Sequence, residues 1–89
     1  CETGLGDIEG SEGVYGLQRA LKMAGVKFSI VSLWKIDDNA TVEFMRYFYR
    51  EYLGNNLPIQ TAFHNTQIWM QQHKKYSAPY YWAGFVLTE

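Results

Sequence analysis

The amino-acid sequence predicts an α/β fold whose elements follow the order loop-α-β-α-α-β. Three observations indicate this class. An apolar stripe at helical spacing is followed by a nearly continuous apolar run, which is typical of a strand covered on both faces. Two more helical segments come next, separated by a glycine-asparagine break and a proline, and a β-rich segment ends the chain. At 89 residues, the chain has the length of one small domain over 1–89.

The chain opens with a loop and a helix. Residues 1–11 are predicted to form the loop, because five of the eight glycines lie at or before Gly16. A helix is predicted over 12–24, with Ser11 as its N-cap. Its apolar stripe consists of Val14, Leu17, Leu21 and Ala24. Gly25 follows where a left-handed C-cap belongs, so the helix is expected to end there.

Two strands frame the rest of the chain. The segment 26–34 is the clearest strand because apolar residues are almost continuous along it. The second strand is predicted at 80–88, after a turn at 77–79. An apolar run of the first kind suits a parallel sheet that lies under helices.

Two helices are predicted between the strands. The first covers 39–53 and carries aromatic side chains on more than one face. Asp38 is favoured as its N-cap, whereas Asp37 is equally consistent with a cap and with selection of a basic substrate side chain. Pro58 is predicted to open the next helix at its first position, where a missing N–H costs nothing. That helix is expected to end near His73.

Composition and charge restrict the function. The chain is 47% hydrophobic and 17% aromatic, which is more than a free-standing domain of this size usually buries, so a missing partner or missing half of the fold is expected. A formal net charge of −1 and the lack of a basic stripe argue against direct nucleic-acid contact. No run approaches the roughly 20 apolar residues of a membrane span, and no membrane partner is expected.

Cysteine usage indicates the compartment. The one cysteine excludes an internal disulfide, and no Cys/His cluster has the spacing of a metal site, so neither a metal nor another cofactor is predicted. The acidic, glycine-rich start does not resemble a signal peptide. We therefore expect a cytoplasmic protein. Because the chain starts at Cys rather than Met, it is expected to be processed or to be part of a longer protein.

Few residues are candidates for chemistry. Cys1 is, on composition alone, as consistent with an inert thiol as with a thiolate nucleophile, which needs a general base and an oxyanion hole. His64 and His73 lie on or at the end of a predicted helix, and structural roles are favoured for both. Trp34 ends a strand at the sheet edge where α/β proteins bind ligands, although a core role is somewhat favoured.

Four blocks of the sequence together resemble the end of a CHAT domain in order and spacing. These blocks are CETGLGD, GSEGVYGLQRALKMAG, VSLWKIDDNAT and YSAPYYWAGFVL, and they cover essentially the whole chain. CHAT domains are caspase-like modules often found beside tetratricopeptide repeats in bacteria. The resemblance implies the C-terminal portion of a caspase-like three-layer α/β/α fold, with the upstream strands missing from this chain. The strand at 26–34 would pair in parallel with a missing strand, and that at 80–88 would be antiparallel at the edge.

The resemblance also implies a reaction. Cys1 matches the nucleophile of a cysteine endopeptidase, and the His of the Cys-His dyad would lie upstream of this chain. The Cys1 backbone N–H and one from the upstream loop would hold the oxyanion. A protein or peptide substrate would lie as an extended strand along Ser32, Leu33 and Trp34. Separases resemble this stretch but carry an acid directly after the Trp; here Lys35 occupies that position, which leaves Asp37 as the candidate for a basic side chain.

Two other functions compete with this one. An N-terminal nucleophile hydrolase would use the α-amine of Cys1 as its base, but that fold needs a larger sandwich than 89 residues supply. A catalytically inactive CHAT-type scaffold or protein-interaction module is the main alternative. The expected partners are the upstream half of the same domain and tetratricopeptide repeats. Without that half, the chain is expected to be inactive.

Overall fold

The computed structural model describes residues 11–89, with side chains described from residue 16 onward. Its elements are α1 (Ser11–Met23), β1 (Ser29–Ser32), α2 (Asp38–Tyr49), a π-helical turn (Arg50–Gly54), α3 (Ile59–Gln71), a 3₁₀ turn (Pro79–Tyr81) and β2 (Phe85–Thr88). The predicted order α-β-α-α-β is confirmed. The chain divides into two compact units, Cys1–Lys35 with Phe85–Glu89 and Ile36–Gly84, which we call the sheet unit and the helical unit.

In the sheet unit, α1 ends at the predicted glycine. Gly25 has φ 90°, a conformation that costs an L residue energy because of its Cβ. The Gly25 N–H donates to the Lys22 carbonyl and the Val26 N–H to the Leu21 carbonyl, each at 3.0 Å. This pair of bonds is a Schellman motif, which satisfies two helix-end carbonyls. The start differs slightly, because Ser11 is the first helical residue and not the cap before it.

The two strands form a short antiparallel sheet, with Ser29 opposite Thr88 and Ser32 opposite Phe85. Both are shorter than predicted. Residues 26–28 follow directly on the Schellman turn and lie outside the ladder, and a bend occupies 33–34. Within the part of the chain that the structure describes, β1 pairs with β2 alone. The parallel pairing expected for 26–34 involves a strand upstream of this chain and stays a prediction.

Residues 80–84 do not form the predicted strand. Pro79 opens a 3₁₀ turn, and the N–H groups of Tyr81 and Trp82 donate back to the carbonyls of Ala78 and Pro79. Backbone groups bonded in this way cannot also join a strand ladder. The Trp82 indole N–H donates to the Ser77 carbonyl at 3.0 Å, which holds the turn closed. The aromatic residues that resemble a strand in sequence therefore belong to a compact turn before β2.

The helical unit is built around an aromatic core. Phe44 and Phe48, one turn apart on α2, are both fully buried. Their rings meet Phe63 of α3 edge-on, at centroid distances of 5.6 and 6.4 Å. Ala62, Thr66 and Met70 form the buried stripe of α3. The Thr66 hydroxyl donates to the Ala62 carbonyl at 2.7 Å, so its burial leaves no unpaired donor.

Both helix starts correct the sequence prediction by one residue. Asp37, not the favoured Asp38, is the N-cap of α2: its Oδ2 accepts the Ala40 N–H at 3.0 Å, and its carbonyl accepts the Thr41 N–H. Asp38 is the first helical residue. Pro58 is the N-cap of α3, with ψ 144°, and not its first helical residue. Its carbonyl accepts the first helical hydrogen bond, from Ala62.

The end of α2 widens into a π-helical turn. The Asn55 N–H donates to the Arg50 carbonyl at 2.9 Å, a bond that spans five residues rather than four. Asn56 then adopts a left-handed conformation with φ 59°, which Asn tolerates better than most residues. The predicted break at Gly54-Asn55-Asn56 is thereby confirmed. Taken together, the described residues form a mixed α/β structure with a two-stranded sheet.

Candidate functional site

The predicted peptide-docking segment lies at the C-terminal end of β1. Ser32 is the last strand residue and is 6% exposed, opposite Phe85. Leu33 is 37% exposed, and Trp34 is half-buried beyond the ladder. The three residues therefore present three different environments in a row: an interior hydroxyl, an accessible aliphatic side chain and a partly covered indole. A segment of this kind can contact an extended chain through its backbone and through alternate side chains.

Asp37 belongs to the helical unit and not to the sheet unit that carries the other three residues. Its Oδ2 is engaged in capping α2, so the observed role of this side chain is structural. The residue is also exposed. Since a carboxylate offers more acceptor positions than one cap uses, capping and recognition of a cation are chemically compatible at this side chain.

The two histidines occupy different settings. His64 is exposed on α3. His73 lies just beyond the C-cap of α3, and its Nδ1 accepts the Lys75 N–H at 3.0 Å. Its ring packs edge-on against Trp69 at 5.3 Å and tilted against Tyr76 at 4.9 Å. These contacts agree with the structural role favoured for His73. Cys1, the predicted nucleophile, lies outside the described residues.

A buried carboxylate in the helical unit has no local signal in the sequence. Glu51, in the π-helical turn, is only 9% exposed. Its Oε1 accepts the Asn65 side-chain amide at 3.1 Å, and its Oε2 accepts that of Asn55. The two amides connect α3 and the helix-ending loop to the same carboxylate. We interpret this cluster as a polar clip, because both of its oxygens are occupied by donors from the chain itself.

An aromatic stack is a second feature that periodicity alone does not reveal. Tyr47 and Trp69 are stacked, with centroids 4.5 Å apart and an interplanar angle of 13°. The Arg50 guanidinium lies 4.8 Å from the Tyr47 ring centroid. The stack joins α2 to α3 on a partly exposed face of the helical unit. Such contacts stabilise helix pairing beyond the area they bury.

Residues 11–89 contain neither a cluster of metal-ligating side chains nor a membrane-spanning helix. No group of three or more His, Cys, Asp or Glu side chains is arranged to hold a metal ion in this range. None of the helices described there has the length and apolar character needed to cross a bilayer.

Comparison with known proteins decides the family. The model of the CHAT domain matches residues 1–88. The chain belongs to the CHAT family. This family is related to caspase-like peptidases, and its match begins at Cys1 and includes the whole of Ser32 to Asp37. The resemblance inferred from the four sequence blocks is thus confirmed.

Two curated relatives give the CHAT chain its context. It is 36% identical over 77 residues to human tetratricopeptide repeat protein 28 and 32% identical over 77 residues to the mouse protein of that name. Each match covers 86% of this chain but 3% of the relative. The chain thus spans a small part of the relatives it matches, and both are named for tetratricopeptide repeats. Both relatives are mammalian proteins. No solved structure matches the chain significantly.

Proposed function

We propose that this chain is the C-terminal part of a caspase-like cysteine endopeptidase domain, with Cys1 as its nucleophile. The observation that carries the proposal is the CHAT match over residues 1–88, because this family is related to caspase-like peptidases and the matched range includes Cys1. The His of the dyad lies upstream of this chain. It takes the thiol proton and the thiolate attacks a peptide carbonyl. The C–N bond breaks, the amine product leaves with the proton from that His, and water then hydrolyses the thioester to free the acid product and Cys1.

The substrate path is proposed along the end of β1. Ser32, Leu33 and Trp34 form its floor, and the exposure of Leu33 supports this because a substrate side chain can contact it there. Asp37 is proposed as a recognition residue for a basic substrate side chain, in addition to its observed capping role. Backbone hydrogen bonds between this segment and the extended substrate would supply affinity, and contacts of the side chains would supply specificity.

The rest of the domain is proposed to complete the sheet. In the three-layer α/β/α fold, upstream strands continue the sheet beside β1, and the chain acts together with tetratricopeptide repeats in a cytoplasmic protein. The names of the two relatives support the repeat association. The exposed apolar side chains of the sheet unit support a missing half, because Met23 is 82% and Val26 40% exposed.

The test uses the full-length protein and a peptide that carries a thiol-reactive electrophile. We expect the peptide to label the wild-type protein at Cys1, and Cys1→Ser to lose both labelling and peptide cleavage. Cleavage should fall by at least about a thousandfold, since nucleophile removal leaves only residual catalysis. Mass spectrometry of the labelled peptide identifies the site, and iodoacetamide measures general thiol reactivity.

Leu33 provides the matched test of the substrate path. Leu33→Ala should raise KM for a peptide substrate, while Val86→Ala, a residue of similar exposure on β2, should leave it unchanged.

Cleavage that persists in Cys1→Ser contradicts the peptidase proposal. If the wild-type protein is neither labelled by the peptide nor cleaves it, and Cys1→Ser still binds the same partners, the domain is an inactive scaffold.

A further inference from the structure

The helical unit contains a polar hollow that none of the peptidase roles uses. It is an open depression between α2 and the segment after α3, with a volume of about 770 Å³ that includes solvent. Its lining residues are Asn39, Val42, Glu43, Arg46, His73, Lys75 and Tyr76. The four α2 residues recur at helical spacing, so they share one face. Three of the lining side chains are basic and one is acidic.

The His73 ring is held by three neighbours in this hollow. Its Nδ1 accepts the Lys75 backbone N–H, so a neutral ring carries its proton on Nε2, the other edge. Trp69 and Tyr76 hold the ring from two directions. Tyr76 is itself buried, at 6% exposure, which anchors the arrangement to the core. A ring fixed on three sides offers its remaining N–H with little loss of conformational freedom.

Lys75 and Arg46, the two cations that line the hollow, each have a neighbour that leaves N–H donors available for a ligand. The Lys75 ammonium lies 5.6 Å from the Tyr76 ring centroid. This cation–π contact involves the charge of the ammonium and does not require its N–H donors. The Arg46 Nη1 lies 3.4 Å from Glu43 Oε1, with the Arg46 side chain 70% exposed. Because a guanidinium has five N–H donors, that single contact leaves most of them for another acceptor.

We propose that this hollow binds the carboxylate side chains of an acidic peptide segment from a partner protein. Arg46, Lys75 and His73 supply the donors, and the half-exposed Val42 contacts the aliphatic part of the bound segment. The hollow is open rather than enclosed, which suits a chain that passes across it. The proposal does not depend on peptidase activity.

A peptide fits the hollow better than a nucleic acid does. Phosphate backbones are bound by basic stripes that follow the strand, whereas here the acidic Glu43 lines the hollow together with the two cations Arg46 and Lys75, and the whole chain carries a formal charge of −1. An isolated carboxylate can approach Arg46 and His73 while Glu43 remains paired. A continuous polyphosphate would bring further charges against Glu43.

The test is a titration of the chain into a fluorescein-labelled peptide of alternating Gly and Glu, followed by anisotropy. The Gly-Gln peptide of equal length is the control ligand. We expect salt-sensitive binding of the Glu peptide alone, and a change in the Lys75 amide signal by NMR, because that N–H is bonded to His73. Arg46→Gln and Lys75→Gln should each weaken binding about threefold, the size expected of exposed ion pairs.

Two further variants make the result specific. Lys74→Gln removes the same charge from the neighbouring exposed residue outside the hollow and should leave binding unchanged. His73→Phe keeps an aromatic ring but removes the donor, and should weaken binding about tenfold, as expected of a hydrogen bond to a charged group. Equal losses from Lys74→Gln and Lys75→Gln overturn the proposal. So does an oligothymidylate of the same charge that binds more tightly than the Glu peptide.

Discussion

The two units of this chain differ in how completely they bury their own side chains. Among the described residues, all the largest side chains with essentially no exposure lie in the helical unit: Ile36, Phe44, Phe48, Thr66 and Met70. In the sheet unit the most buried residues are Phe85 at 5%, Ser32 at 6% and Val31 at 9%. The helical unit therefore contains a core of its own, whereas the unit that carries the proposed substrate path has only a partial one.

This difference assigns stability and proposed function to different parts of the chain. A two-stranded sheet is marginal in water and needs further strands or a covering layer. The sheet unit is thus the part most dependent on the proposed missing half of the domain. The helical unit is expected to keep its structure under conditions that open the sheet unit, and four sets of variants test this contrast.

The largest effect is expected from Phe48→Ala. Removal of a fully buried ring that contacts Phe63 and Tyr52 should lower the free energy of unfolding by about 3–5 kcal/mol. Leu53→Ala, at 66% exposure, is the control and should change it by less than about 0.5 kcal/mol. Urea denaturation measures both. Similar losses for the two variants would mean that α2 and α3 do not form a core.

The next effect is expected from Glu51→Ala. It leaves the Asn55 and Asn65 amides without their acceptor, which should cost about 2 kcal/mol. Glu43→Ala removes an acid from the same helical region whose partner, Arg46, is exposed, and should cost less than about 0.5 kcal/mol. Thermal unfolding compares the pair. Equal costs would show that the polar clip contributes nothing beyond a surface ion pair.

Two glycines in the sheet unit should respond with opposite signs. Gly25→Ala forces a Cβ into φ 90° and should destabilise by about 1–2 kcal/mol, although no atom lies within 4 Å of the added carbon. Gly16→Ala, inside α1 and equally unobstructed, should stabilise by about 0.5–1 kcal/mol because alanine favours the helix. Hydrogen exchange of the α1 amides measures the change in stability in both variants. A change of the same sign in both variants contradicts the Schellman ending.

The smallest effect separates the two roles of Asp37. Asp37→Ala should cost about 1 kcal/mol through loss of the cap, whereas Asp37→Asn should retain most of it. If Asp37 also recognises a basic substrate side chain, Asp37→Asn should raise KM for that substrate in the full-length protein without lowering stability. Asp38→Ala is the control, with a stability loss of about 0.3–0.5 kcal/mol from the helix dipole. An unchanged KM in Asp37→Asn leaves Asp37 as a cap alone.

Much of the fold could be predicted because its signals are local. The stripe of α1, the left-handed Gly25 and the break after Gly54 each depend on residues within one or two turns of each other. Errors occurred where local signals were ambiguous. Asp37 and Asp38 are both good caps, and only the backbone conformation at Asp37, with ψ 133°, decides between them. Aromatic residues at 80–82 favour a strand by composition, but Pro79 directs them into a 3₁₀ turn.

The candidate sites differ in the same way between local and tertiary features. Ser32, Leu33 and Trp34 are predicted as a substrate path through the resemblance to CHAT domains, and the strand that leads into them ends at Ser32 rather than at the predicted Trp34. The polar hollow and the Glu51 clip could not be predicted, since residues such as Arg46 and His73, or Glu51 and Asn65, are far apart along the chain. No periodicity relates them, and their proximity exists only once α2 and α3 have packed.

By itself, the sequence determined the order of the elements, the end of α1, the break between α2 and α3, and the CHAT family, because each is a property of neighbouring residues or of blocks in fixed order. The tertiary structure alone decided how short the strands are, which aspartate caps α2, and which distant polar side chains share a carboxylate or a hollow. These depend on competition for hydrogen bonds and on burial, and both are settled only when separate segments of the chain come together.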